Sequence, residues 1–445
     1  MPKNYLASRQ NVVALPIDEI NAKLAAIEIA FGEAWLSQAG AHPVRDLWNR
    51  PDALATNELL NLGDAIERFS ANSPAWLLGQ VSKMKDGDAG EVAGAIFEVL
   101  ALNLFPTEAC RVQPAPESTP GFDGTLFLGD GSRILLSIKN HGMSQPERQF
   151  LNEAIRVDEA FKTALSVQAL RDVELNVIAK TPLSVGDFHR LRADVETCLA
   201  DAKSGGTGRH LDRPYQIIMR GMAGQHGSLS AHVMSSTCRI MAPMAQNEQK
   251  NFDDAIRKGC ANLAKHTVGE ADGACRMILL RLSNSASIAK CREWAEWFFT
   301  EWPNEPIDLI VLYQCMVTVD EGADTSSITH HLTTITGPCF PLWQKRQDGS
   351  VRRLPGMSIL VGVVSEPPPT MQLKGDGLST IDLSSHYMYQ RSDVYKPIEV
   401  VEGASGVLSN PAPGIVIHAT LEKEGVPLRV LSPVMARDKQ LLLLP

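Results

Sequence analysis

Within a chain of 445 residues, the side chains best suited by type and spacing to do chemistry are Glu98, Asp123, Ser137 and Lys139. Asp123 lies in GFDGTLFLGDG, and Ser137 and Lys139 lie in SRILLSIKNHG; the two apolar runs are joined by Gly129-Asp130-Gly131-Ser132, a strong hairpin signal. Alternation places Ile134, Leu136 and Ile138 on one face of the second strand and Leu135, Ser137 and Lys139 on the other. On the first strand Asp123, Thr125 and Phe127 share a face. A carboxylate, a hydroxyl and an ammonium group gathered this way can hold a hard divalent cation and offset negative charge developing on a phosphate ester.

Turn length decides whether they gather. A two-residue loop at Asp130-Gly131 pairs position 123 with 138 and turns Asp123 away from Lys139. A three-residue loop with Gly131 in a left-handed bulge pairs 123 with 137 and puts both on one face. The chemistry requires the longer loop.

The element before the hairpin reads as a helix from about Glu91 to Phe105, apolar on nearly all sides and therefore buried between layers. Glu98 is the only charge in its apolar run, and a buried carboxylate without a partner costs several kcal/mol, so it must meet a cation, a metal or a donor cluster. Glu91, seven residues earlier, falls on nearly the same helix face and is a further candidate. Two blander readings stand beside these: Glu98 paired structurally with an arginine, and Lys139 as an edge-strand lysine that blocks aggregation.

In this order of pieces the sequence resembles the PD-(D/E)XK nuclease superfamily, and within it the Mrr-like type IV restriction endonucleases. The resemblance rests on GAIFEVLALNLF, STPGFDGTLFLGDG and ILLSIKNHG, covers residues 91–142, and extends weakly to VELNVIAKTPLSVGDFHRL at 173–191. It implies a restriction-endonuclease-like fold and a metal-dependent endonuclease acting on DNA, in restriction or defence against foreign DNA. Asp123, Glu98 and the Ile138 backbone carbonyl would hold Mg²⁺ or Mn²⁺, Lys139 would orient the attacking water or neutralise the transition state, and Ser137 would hydrogen-bond a water of the ion's shell. Relatives carry an acidic residue or glutamine where this chain has Ser137, so the negative charge must come from Asp123 and Glu98, with Glu91 as a possible third. That serine also supports a rival reading, a catalytically weakened nuclease fold serving as a nucleic-acid-binding or protein-assembly module.

The remaining chain sets the context. Hydrophobic residues make up 44% and charged residues 21%, a globular balance, and no apolar run reaches the roughly 20 residues that span a bilayer. With no secretory leader pattern at the N-terminus, a cytoplasmic location away from membranes is expected. Eight scattered cysteines without metal-ligand spacing are expected to be reduced and mostly buried.

A formal charge of −9 confines any nucleic-acid contact to one face. Candidates for that contact are Asn140, Gln145 and Arg148 just after the hairpin, and the cationic cluster containing Arg190, Arg192, Arg209 and Arg213, for which a simple solvated surface is the alternative. His141 is expected to be solvated.

The fold class expected is α/β with α+β elements: a helical N-terminal region at 1–85, a restriction-endonuclease-like core at 86–200, an α/β segment at 201–322 and a β-rich part at 323–445. Residues 250–320 either complete the core sheet or form a domain of their own. A protein partner or homo-oligomer is also expected.

Overall fold

The structure, a computed structural model, describes residues 15–431 except for stretches that include 117–121, 204–207, 222–235, 267–273, 354–370, 374–380 and 411–417. Among the described residues it is mixed α/β, with ten helices and two mixed sheets. None of these helices is long and apolar enough to cross a membrane.

Helices α1 (Ile17–Phe31), α2 (Glu33–Leu36), α3 (Pro43–Trp48), α4 (Ala53–Asn72), α5 (Pro74–Asp86) and α6 (Ala89–Asn103) form one layer. The stripe Ile20, Leu24, Ile27 and Phe31, set at helical spacing, is buried throughout. Beside this layer lies a six-stranded sheet in the order β1 (Cys110–Pro114), β2 (Gly124–Leu128), β3 (Arg133–His141), β8 (Ala274–Leu282), β9 (Leu309–Asp320) and β10 (Thr325–Thr336). The first three strands are antiparallel neighbours, β3 runs parallel to β8 and β8 to β9, and β10 returns antiparallel.

Strand alternation divides this sheet between two cores. Leu126, Ile134, Leu136 and Ile138, with Met277, Leu279 and Val311, pack against α1–α6. Leu135, Ile278, Leu280, Ile310 and Leu312 pack against α9 (Glu248–His266) and α10 (Ile288–Glu301). Because both faces are covered, β8 and β9 are near-continuous apolar runs.

Between β3 and α9 the chain makes an excursion: α7 (Gln145–Val167), β4 (Val173–Ala179), α8 (Val185–Lys203), β5 (Gly208–His210), β6 (Tyr215–Gly221) and β7 (Thr237–Pro243). With β15 (His386–Arg391) these strands form a second sheet, ordered β15-β7-β4-β6-β5, whose core packs on α7 and α8. The run at 173–191 therefore belongs to β4 of the second sheet and to α8 packed on it, while β8 and β9 complete the first. The division into 86–200 and 201–322 is thus crossed by both sheets. The N-terminal helices share one core with the first sheet instead of standing apart, and the β-rich C-terminal part lends β10 to the first sheet and β15 to the second. Among the described residues, that part also holds an antiparallel pair, β11 (Trp343–Lys345) with β12 (Val351–Arg353), and a six-stranded sheet whose strands fall between Met371 and Leu431.

Where the chain leaves the first sheet and returns to it, Glu248 at the start of α9 is nearly buried, 7% exposed. Ser144, which caps α7, donates to its Oε1 at 2.5 Å, and the Tyr387 hydroxyl of β15 donates to the same oxygen. Removing one donor leaves a buried carboxylate short of its partners. Tyr387→Phe is expected to lower unfolding free energy by about 1–3 kcal/mol in urea titration with an unchanged slope. A loss under about 0.5 kcal/mol would show that this contact does not fasten the second sheet.

Candidate functional site

Gly124 pairs with Leu136, Thr125 with Leu135 and Phe127 with Arg133, a register that sets Asp123 opposite Ser137. The connection spans 129–131: Leu128 N donates to Ser132 O, Gly131 N donates to Leu128 O, and Gly131 has φ of 84°. This is the longer loop, with glycine in the left-handed conformation that L side chains resist. It brings Asp123 to the side of Ser137 and Lys139.

Beyond this pair β2 has ended while β3 continues. Asp123 N still donates to Leu136 O at 2.8 Å, but two residues further on, the N–H and C=O of Ile138 face the same side with no strand opposite. The Asp123 side chain takes the place of backbone there: its Oδ2 accepts from Ile138 N at 2.5 Å. Lys139 Nζ donates to Ile138 O at 3.1 Å and lies 3.7 Å from Asp123 Oδ2, and Ser137 Oγ lies 3.4 Å from that same oxygen. Ser137 is fully buried, whereas the Asp123 and Lys139 side chains keep 25% and 19% of their surface, so the charged pair opens to solvent. The ammonium sits between a carboxylate oxygen and a main-chain carbonyl oxygen, two hard donors that suit a divalent cation.

Helix α6 closes on this point because residue 124 has no side chain. A Cβ there would lie 2.9 Å from Leu102 Cδ2 and 3.2 Å from Gln113 O. From α6, Glu98 meets the side chains of α5: Gln80 Nε2 donates to its Oε1 at 3.1 Å and the Trp76 indole also hydrogen-bonds it. Burial, and then the charge of Asp123, push its carboxyl up to about 7; Lys83, the Trp76 hydrogen bond and Lys139 act in the opposite sense. Glu98 thus lies buried in the helical layer within electrostatic reach of Asp123 and Lys139, which are paired with each other at the strand end.

Partners for Glu98 come from a region in which the sequence shows no chemical motif. Gln80 is 2% exposed, and its Oε1 is buried with no hydrogen-bond partner. The available signal was Trp76, Gln80 and Lys83 at i, i+4 and i+7 on one face of α5.

Glu91 is not at this site: it forms a capping box with Asp88, accepting from Asp88 N at 3.1 Å while Asp88 Oδ1 accepts from Glu91 N at 2.9 Å. Asn140 and Gln145 line a cleft of about 530 Å³ that begins at Lys139, and Arg148 is exposed on the first turns of α7. The cationic cluster is largely compensated: Arg190 pairs with Asp187 at 2.8 Å, Arg192 with Glu153 at 3.1 Å and Arg213 with Asp194 at 3.3 Å. The Arg209 side chain lies outside the described residues.

His141, expected in solvent, is partly buried edge-on to Phe252 at 5.6 Å, and burial pushes its pKa down. The described cysteines are all free thiols, four of them buried.

Among the described residues no group of three or more His, Cys, Asp or Glu side chains is placed to hold a metal ion. The candidate donor set is smaller, two carboxylates with a carbonyl and a hydroxyl. No family model, curated protein or solved structure gives a significant match to the chain.

Glu98 binds a proton in the folded state at pH values where the unfolded chain has lost it, so folding stability falls as pH rises from 4.5 to about 7 and is level above. Glu98→Gln is expected to abolish that fall, on the order of 3 kcal/mol, when urea unfolding is compared at pH 5 and pH 8. Parallel pH dependence in the two proteins would show that Glu98 is not held in the environment described.

Proposed function

We propose that this chain is a Mg²⁺-dependent endonuclease that hydrolyses phosphodiester bonds in DNA, with α6, β1–β3, α9 and β8 as a restriction-endonuclease-like core. The observation that carries the reading is the Asp123 carboxylate set between the Ile138 N–H, which no strand pairs, and the Lys139 ammonium, with the buried Glu98 of α6 near enough to feel the charge of both side chains. The topology supports it as well: an α-helix, three antiparallel strands, and a parallel fourth strand entered through α9. Restriction of foreign DNA in the cytoplasm is the setting that such an activity fits, alone or with a partner protein.

The donors present suit Mg²⁺, an ion bound by hard oxygens through one or two carboxylates while several coordination positions stay with water. Asp123, Glu98 and the Ile138 carbonyl would hold it. When bound, the ion polarises the scissile phosphate and acidifies the attacking water.

The chain's own groups do the rest. Ser137 lies against Asp123 Oδ2 and, being fully buried, fixes the carboxylate's orientation. Lys139, held near the strand end, balances negative charge that develops on the phosphoryl oxygens. Glu98, its carboxyl pushed up to about 7 by burial and by Asp123, would be drawn back into its charged form by a cation bound beside it.

One observation favours the rival reading of a binding or assembly module. Ser137 contributes no charge, so only two carboxylates serve the site, and a phosphate could be gripped by Lys139 without being cut.

Purified protein with Mg²⁺ is expected to nick supercoiled plasmid DNA. Lys139→Ala should reduce the rate by about 100-fold or more, and chelation of the metal should stop it. Equal or absent cleavage by both proteins across DNA and RNA substrates would overturn the nuclease reading and favour the binding module.

A further inference from the structure

The cleft that opens from Lys139 has a lining unlike the rest of the surface around the site. Asn140 at the end of β3 forms its inner edge. Gln145 and Gln149 on α7 and Asn247 and Asn251 at the start of α9 form facing walls, and each of these pairs is spaced i, i+4 so that it projects from one side of its segment. Lys139 stands at the catalytic end, Lys258 lies further along α9, and no carboxylate lines the cleft. Among the described residues none of the five carboxamides has a side-chain hydrogen-bond partner within the protein. Its volume of about 530 Å³ is in the size range of sites that enclose a small organic group.

Five neutral amides between two lysines make a surface with a particular competence. Each carboxamide offers a donor and an acceptor side by side, the pattern that pairs with the N6 and N7 edge of adenine or with the acceptors of a base edge. Lysines grip phosphate without regard to sequence, while such amides discriminate among bases. The lining itself carries no acid; of the carboxylates close to it, Asp123 and Glu248 are partnered by Lys139 and by Ser144 and Tyr387. Because Lys139 belongs both to this cleft and to the Asp123 site, whatever lies in the cleft is next to the phosphate that would be cut.

We propose that the cleft between α7 and α9 is the base-reading site of this protein, in which Asn140, Gln145, Gln149, Asn247 and Asn251 contact base edges of duplex DNA beside the phosphate held by Lys139. The proposal rests on the reading of the chain as a DNA nuclease and goes beyond it by assigning sequence preference to named side chains. It also gives the inserted segment a role, since α7 opens the excursion to the second sheet and α9 closes it.

The test uses the full chain with Ca²⁺ in place of Mg²⁺ and a pool of DNA duplexes randomised at their centre, sequencing the fraction that binds. The native protein is expected to enrich particular bases at one or more positions. Gln149→Ala combined with Asn251→Ala should reduce that enrichment by about tenfold while affinity for the unselected pool stays within about threefold. Matching thermal melts of the two proteins check that the exposed substitutions leave the fold intact.

No enrichment by the native protein, or the same enrichment by the double variant, overturns the proposal. Cleavage of the selected duplexes with Mg²⁺ is read separately. A preference that depends on these amides without any cleavage would sink the nuclease reading and leave the base-reading cleft standing, and cleavage with an unaltered preference would do the reverse.

Discussion

Ile138 presents both of its main-chain polar groups to the space where β2 has already ended, and buried peptide groups must find partners. Asp123 satisfies the N–H and Lys139 satisfies the carbonyl, so one carboxylate and one ammonium are drawn to the same point. The stagger between the two strands produces this arrangement, and the stagger is set by the residues at 129–131. One residue fewer there would turn Asp123 to the other face and leave Ile138 without its acceptor.

The layers around the hairpin act on that point from both sides. The helical layer carries Glu98 and packs on the Ile134, Leu136 and Ile138 face, and the glycine at 124 leaves room there for Leu102 of α6. Once buried beside Asp123, the Glu98 carboxyl carries a cost that Gln80, Trp76 and Lys83 reduce without removing, and this keeps its pKa near neutrality. The raised pKa of Glu98 therefore records two effects acting together, removal from water and the charge of Asp123.

On the other face, α9 and α10 seal the apolar strands while α7 leads away to the second sheet. The two sheets are joined through Glu248, held by Ser144 and Tyr387, close to where β3 ends at His141. That fastening holds α7 and α9 on either side of the polar cleft. The inserted sheet itself does not line the cleft; the helices at its two ends, α7 and α9, do.

Much of the hairpin was legible in the sequence, since the Gly-Asp-Gly-Ser link, the period-two alternation and the single charge of an otherwise apolar helix are local signals with local causes. Glu98, Asp123, Ser137 and Lys139 could be named from these alone. The Asp88-x-x-Glu91 capping box and the Arg190–Asp187 pair are local as well, whereas only the tertiary structure decided which turn forms and that Arg192 and Arg213 are paired with acids that other elements supply. It also decided that β8, separated from β3 by more than a hundred residues, completes the first sheet, and that α5 supplies the partners of Glu98. The physical reason is that periodicity records which face of an element is apolar, whereas the partner of a charged group is set by long-range packing that leaves no mark on local spacing.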